Sequence, residues 1–99
     1  MSGKLRNRRT ADFRQQYEQL PANIQKLGVA AFKRFCDDPS HPSLRLHELG
    51  DSKRGSHLPG SRSVSITRRY RAVYVVKDGV NVWYWVGTHA EYDRFSGFA

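Results

Sequence analysis

Residues 61–87 read SRSVSITRRYRAVYVVKDGVNVWYWVG, and this stretch decides the fold. Three runs rich in β-branched and aromatic residues, 61–67, 70–77 and 80–87, are separated by two residues each. Asp78-Gly79 is a strong two-residue hairpin signal, because both positions tolerate a left-handed backbone. Arg68-Arg69 leaves room only for an equally tight turn. Consecutive tight hairpins predict an antiparallel meander. The same region is heavily cationic. Lys53, Arg54, Arg62, Arg68, Arg69, Arg71 and Lys77 fall between residues 52 and 77, with no acid among them. A sheet carrying that much uncompensated charge calls for a polyanion beside it.

The segments upstream supply helices to cover the sheet. Thr10 suits a helix N-cap and Asp12 the first turn. Phe13, Tyr17 and Leu20 then recur at helical spacing. Pro21 breaks that helix and opens a second, whose stripe is Ile24, Leu27, Ala31, Phe32 and Phe35. Asp37-Asp38-Pro39 ends it. Lys4 to Arg9 alternates weakly, as a short edge strand would. Between Asp37 and Gly60 lies a long irregular connection. Its leucines at 44, 46 and 49 can cover a core edge, and residues 52–60 read as its mobile part. Thr88 and Glu91 have capping-box spacing, so a short helix starts where the last strand ends. Tyr92 and Phe95 share one face of it. The expected fold is α+β: an N-terminal helical hairpin packed on a twisted antiparallel meander, with a short C-terminal helix. Trp83 and Trp85 alternate with valines and Tyr84, predicting one aromatic face turned away from the core.

At 99 residues and 38% hydrophobic content the chain supports one core and one domain, residues 1–99. The net charge of +8 admits nucleic acid, an anionic surface or an acidic protein as partner. No run approaches the roughly 20 apolar residues of a membrane span. The opening Met-Ser-Gly-Lys-Leu-Arg has no apolar export core, and Cys36 has no second cysteine to pair with. The expectation is a cytoplasmic protein. His41, His47, His57 and Cys36 lack metal-ligand spacing, and no phosphate-cradling glycine loop or nucleophile elbow occurs. Neither a metal nor a small-molecule cofactor is expected.

The candidate chemistry lies at the junction of the last strand and the last helix. A helix N-terminus attracts anions. If it lies beside the second meander strand, Arg71 meets it, and a guanidinium fork suits phosphate geometry. The alternative for Arg71 is a solvated sheet-face residue. His89, in the first turn of the helix, is the acid/base candidate; its alternative is a helix-start residue bonded to backbone. Tyr92 can position a phosphate or stack on a base, or simply pack on the sheet.

These residues also carry a resemblance. His41-Pro42-Ser43-Leu44, Tyr70-Arg71-Ala72-Val73-Tyr74 and Gly87-Thr88-His89-Ala90-Glu91-Tyr92-Asp93 resemble the RelE/ParE superfamily of bacterial type II toxins, over nearly the whole chain. The last is similar to the Gly-Thr-His ending of YafQ-like members. The resemblance implies a compact RNase-like fold and metal-independent cleavage of mRNA on the ribosome, which inhibits translation. It also implies an acidic antitoxin partner. Carried over by position, Arg71 matches the arginine at the scissile phosphate, His89 the residue ending the last strand and Tyr92 the C-terminal aromatic. His47 matches a loop histidine. Lys53, Arg54, Arg62, Arg68 and Arg69 are the expected RNA-phosphate contacts. One departure stands out: Ser65 occupies a position where some members have arginine. Either Arg62, Arg68 or Lys53 compensates, or activity is weak or absent. ParE-like members share the fold and instead poison DNA gyrase, so a non-catalytic role, or one limited to binding an antitoxin or RNA, is the alternative.

Overall fold

The computed structural model describes residues 6–50 and 55–97. The elements run β1 (Arg6–Arg9), α1 (Ala11–Glu18), α2 (Ala22–Asp37), a 3₁₀ turn (Pro42–Leu44), β2 (His47–Glu48), β3 (Arg62–Thr67), β4 (Tyr70–Lys77), β5 (Val80–Thr88) and α3 (His89–Ser96). They form one sheet in the order β1-β5-β4-β3-β2. Its centre is the expected meander. Asp78 and Gly79 take φ values of 53° and 75°, the two left-handed positions of the tight β4–β5 turn. The β3–β4 turn closes on Arg68 and Arg69, with Thr67 paired to Tyr70.

The sheet is mixed rather than purely antiparallel, because β1 lies parallel to β5 at the edge. The chain runs from β1 into α1, and that helix, not a hairpin turn, sets the direction of its return. The irregular connection also contains order that its composition did not signal: the 3₁₀ turn and β2, which pairs with β3. Two residues are too short to show alternation. Lys4, Lys53 and Arg54 lie outside the described residues.

Thr10 caps α1 by accepting from the Phe13 N–H at 3.1 Å. Pro21 is the N-cap of α2, and Asp38 its C-cap. The two helices approach closely at Gly28, where a Cβ would stand 2.7 Å from the Tyr17 hydroxyl. That hydroxyl donates to the Gln25 carbonyl, tying α1 to α2. Of the predicted α2 stripe, Ile24, Ala31 and Phe35 are buried, whereas Leu27 and Phe32 remain exposed. Phe35 is the keystone of the hairpin-side core, edge-on to Tyr74 at 5.4 Å and Trp83 at 5.2 Å. Burying such a ring contributes about 2 kcal/mol.

The two tryptophans part company. Val73 pairs with Trp85 but Tyr74 pairs with Trp83, so Tyr84 is an extra residue on β5. Such a bulge moves the side chains beyond it to the other face. Trp83 therefore joins the helical-hairpin core with Phe13, Phe35 and Tyr74. Trp85 and Tyr84 pack with Tyr92, Phe95, Val73 and Leu49 in a second core, beneath α3. Both sheet faces are thus covered, one by α1 and α2, the other by α3.

The capping box forms as predicted. Thr88 Oγ1 accepts from the Glu91 N–H at 3.1 Å, and Glu91 Oε1 accepts from the Thr88 N–H at 2.8 Å. Thr88→Ala is expected to cost about 1 kcal/mol in chemical denaturation.

Candidate functional site

Arg71 pairs with Ser65 on one side and Gly87 on the other, in the middle of the sheet. The pleat puts it on the same face as Val73, beneath α3. Only 5% of it is exposed. Its neighbours on β3 explain how a cation survives there. Nε donates to Ser63 Oγ at 2.7 Å and Nη1 to Ser65 Oγ at 2.9 Å. Nη2 reaches the Arg45 carbonyl at 3.1 Å and His47 Nδ1 at 3.1 Å. The guanidinium also lies 5.0 Å from the centre of the Tyr92 ring, a cation–π contact. Burial lowers the Arg71 pKa from its usual value; Tyr92 opposes that shift and the Arg45 charge adds to it. Arginine remains charged all the same.

The network continues outward. His47 is exposed, and its Nε2 lies 2.8 Å from the Tyr92 hydroxyl. His47 Nδ1 stands between Arg71 Nη2, a donor at 3.1 Å, and the Arg45 carbonyl, an acceptor at 3.2 Å, so the ring tautomer sets both which of these it bonds and whether Nε2 donates to or accepts from Tyr92. His89 stands on another side of the same ring, at 5.9 Å between centroids. It is exposed, and its Nδ1 is 3.5 Å from Asp93 Oδ2, one helical turn on. Asp93 thus faces the Nδ1 side of the imidazole from the next turn of α3.

Arg71, His47, Tyr92 and His89 are therefore brought together at one end of the sheet. Arg68 and Arg69 lie in the adjoining β3–β4 turn, whose Arg69 carbonyl accepts from the His89 N–H at 2.6 Å. Arg62 does not join them. It pairs with Tyr74 on the hairpin face and forms an exposed ion pair with Glu48 at 3.5 Å. The expected anion site at the start of α3 is already filled from within the chain. The first turn donates to Arg69 and Thr88, and the Glu91 carboxylate sits at the positive end of the helix. Those hydrogen bonds from the Thr88 backbone and hydroxyl lower the Glu91 pKa. A depressed carboxylate stabilises the fold above its unfolded-state pKa and loses that contribution as pH falls through the folded value. Wild-type melting temperature should drop across that acid range more steeply than that of Glu91→Gln, which keeps the cap geometry without the charge.

Ser63 and Arg45 escaped the sequence reading, and Ser65 entered it only as a missing arginine. The serines alternate within a strand and so share its face with Arg71, a signal available only once the register is known. Ser65 is a hydrogen-bond acceptor for Arg71 rather than simply a missing cation. Among the described residues no group of three or more His, Cys, Asp or Glu side chains is placed to hold a metal. None of the described helices is long and apolar enough to cross a membrane.

No family model and no curated protein matches the chain. Solved structures do. YafQ from E. coli strain BL21(DE3) superposes with a TM-score of 0.61 at 15% identity, over 87% of this chain and 94% of its own. The archaeal RelE–RelB complex from Pyrococcus horikoshii OT3 gives 0.63 at 12%, over 86% and 94%. A YoeB/ParE toxin from Agrobacterium tumefaciens gives 0.64 at 19%, over 85% and 98%. The chain has the α+β fold of the RelE/ParE-superfamily toxins.

Proposed function

We infer that this chain is the toxin of a type II toxin–antitoxin pair and a metal-independent endoribonuclease that cleaves mRNA on the ribosome, in the cytoplasm. The observation that carries the reading is the convergence of Arg71, His47, Tyr92 and His89 in one network. RNA cleavage of this kind uses the RNA's own 2′-hydroxyl as nucleophile. The 2′-oxygen bonds to phosphorus, its proton passes to a base, and the 5′-oxygen leaves with a proton from an acid. His89 is the base, oriented by Asp93. The Tyr92 hydroxyl, held by His47, is the proton donor. Arg71 supplies a fixed positive charge where negative charge develops on the phosphate. Arg68 and Arg69 attract the RNA backbone at the rim. An acidic antitoxin would neutralise this basic surface, in line with the RelE–RelB pairing of the archaeal neighbour.

The burial of Arg71 favours a second reading. Most of its N–H groups are committed to Ser63, Ser65, Arg45 and His47, as in a structural arginine of a non-catalytic, gyrase-directed or antitoxin-binding protein. Induced expression in bacteria with mapping of mRNA 5′ ends separates the two. Growth arrest with new 5′ ends inside coding sequences is expected. Arrest without them, accompanied by DNA damage, would instead establish the second reading.

A further inference from the structure

We propose that the cleft between α1 and α3 receives a nucleobase next to the scissile phosphate, and that Gln16 reads the edge of that base. The proposal rests on the reading that the chain cleaves RNA. The cleft has a volume of about 460 Å³, enough for a purine, and lies outside the Arg71 network. Its floor is the end of β5. β1 pairs with β5 only from Val80 to Trp83, so Tyr84 to Thr88 have no strand beside them on that side among the described residues. An open sheet edge offers backbone N–H and C=O groups to an incoming partner. Here the Val86 N–H donates to Gln16 Oε1 of α1 at 3.0 Å. The Val86 carbonyl faces the same side of the strand. Gln16 Nε2 makes no hydrogen bond among the described residues.

The cleft therefore offers an amide donor and a backbone acceptor on one strand edge, a pairing that the edge of a base complements. Gln19, the C-cap of α1, adds a second amide to the same wall. The α3 wall carries one acid, Glu91, and one base, Arg94. Balanced charge and neutral amides suit a base, whereas the cations around Arg71 suit a phosphate. Trp85 is half-buried and gives the cleft an aromatic surface. Gly87 makes room for it: a Cβ there would lie 3.0 Å from the indole and 2.9 Å from Glu91 Oε1. The cleft adjoins the Arg71 site at the end of the sheet. Tyr70 and Thr88, paired across β4 and β5, line it, and Arg71 and His89 follow them in the chain. An RNA phosphate held at Arg71 and His89 can turn its neighbouring base over that end and into the cleft.

Two variants test this. Gln16→Glu keeps the oxygen that accepts from Val86 and loses the donor; Gln16→Met loses both at similar size. The substrates are short RNAs that differ only in the base on one side, then the other, of the scissile bond. Wild-type cleavage rates should span about tenfold or more across the bases at one of these positions. In both variants the span should shrink to less than about threefold. The added charge of Gln16→Glu acts alike on every substrate and cancels in the ratio. Thermal melting checks folding, and if one variant fails to fold the other carries the comparison. An unchanged span in the variants, or equal wild-type cleavage of all the RNAs, would overturn the proposal. If the wild-type protein cleaves no RNA, the nuclease reading fails on its own. Tryptophan fluorescence titrated with uncleavable 2′-O-methyl trinucleotides then decides the cleft, since Trp85 lines it and Trp83 is only 4% exposed. Quenching that varies with the base, and ceases to vary in Gln16→Glu, is the expected result. Quenching that is absent or the same for every base would overturn the base site.

Discussion

Arg71→Lys is expected to lower RNA cleavage by about 10³-fold, the upper range for loss of one preorganised charge-stabilising donor set. Charge is preserved, so the effect isolates geometry. A guanidinium fork reaches Ser63, Ser65, the Arg45 carbonyl and His47 Nδ1 at once, from one plane. An ammonium has three donors around a single nitrogen and cannot span those four acceptors. His47 then loses one of the contacts that hold its ring beside the Tyr92 hydroxyl. Arg71→Met removes the charge as well. It leaves buried hydroxyl and carbonyl groups without a donor, and denaturant unfolding should show a loss of about 3 kcal/mol or more. Steady-state cleavage of a model mRNA, with circular dichroism to confirm folding, checks both. Wild-type cleavage in Arg71→Lys would show that the guanidinium is only a brace.

His89→Ala is expected to reduce cleavage by about 10² to 10³-fold, the contribution of a positioned general base. Its stability should stay within about 0.5 kcal/mol of wild type, as for exposed positions generally. The imidazole contributes one exposed contact to Asp93 at 3.5 Å and one ring contact to Tyr92 at 5.9 Å, and is itself part of neither core cluster. Asp93→Asn keeps the shape but not the charge that orients His89. It should give a smaller loss, about tenfold, with the pH–rate profile of cleavage shifted relative to wild type. A His89→Ala enzyme with full activity would remove His89 from the mechanism.

The parts of this molecule written in the sequence are those governed by local rules. Asp78-Gly79 specifies its turn through two left-handed positions, and Thr88 with Glu91 specifies a helix start through reciprocal hydrogen bonds. The parallel placement of β1 and the pairing of β2 depend on contacts distant in the chain. The bulge at Tyr84 depends on counting two residues against one across β4 and β5, which alternation within β5 alone does not reveal. That single extra residue is why Trp83 and Trp85 ended in different cores.

The site divides in the same way. Arg71, Tyr92 and His89 could be picked out by their place on a strand or a first helical turn. Their mutual arrangement could not, since it follows from α3 folding back over β4. Helix-dipole reasoning marked the start of α3 as an anion site, but Glu91 is the anion that occupies it. Arg62 lies apart from the Arg71 cluster through strand parity: one position along β3 from Ser63 is the opposite face.

Titration of the labelled protein with a short 2′-O-methyl RNA, followed by NMR of arginine Nε–H and histidine ring signals, tests the central claim most directly. Saturable shifts at Arg71, His47 and His89, with Arg34 on α2 unmoved, are the predicted result. Shifts confined to α2 or β1, with Arg71 and His89 unchanged, would contradict the account.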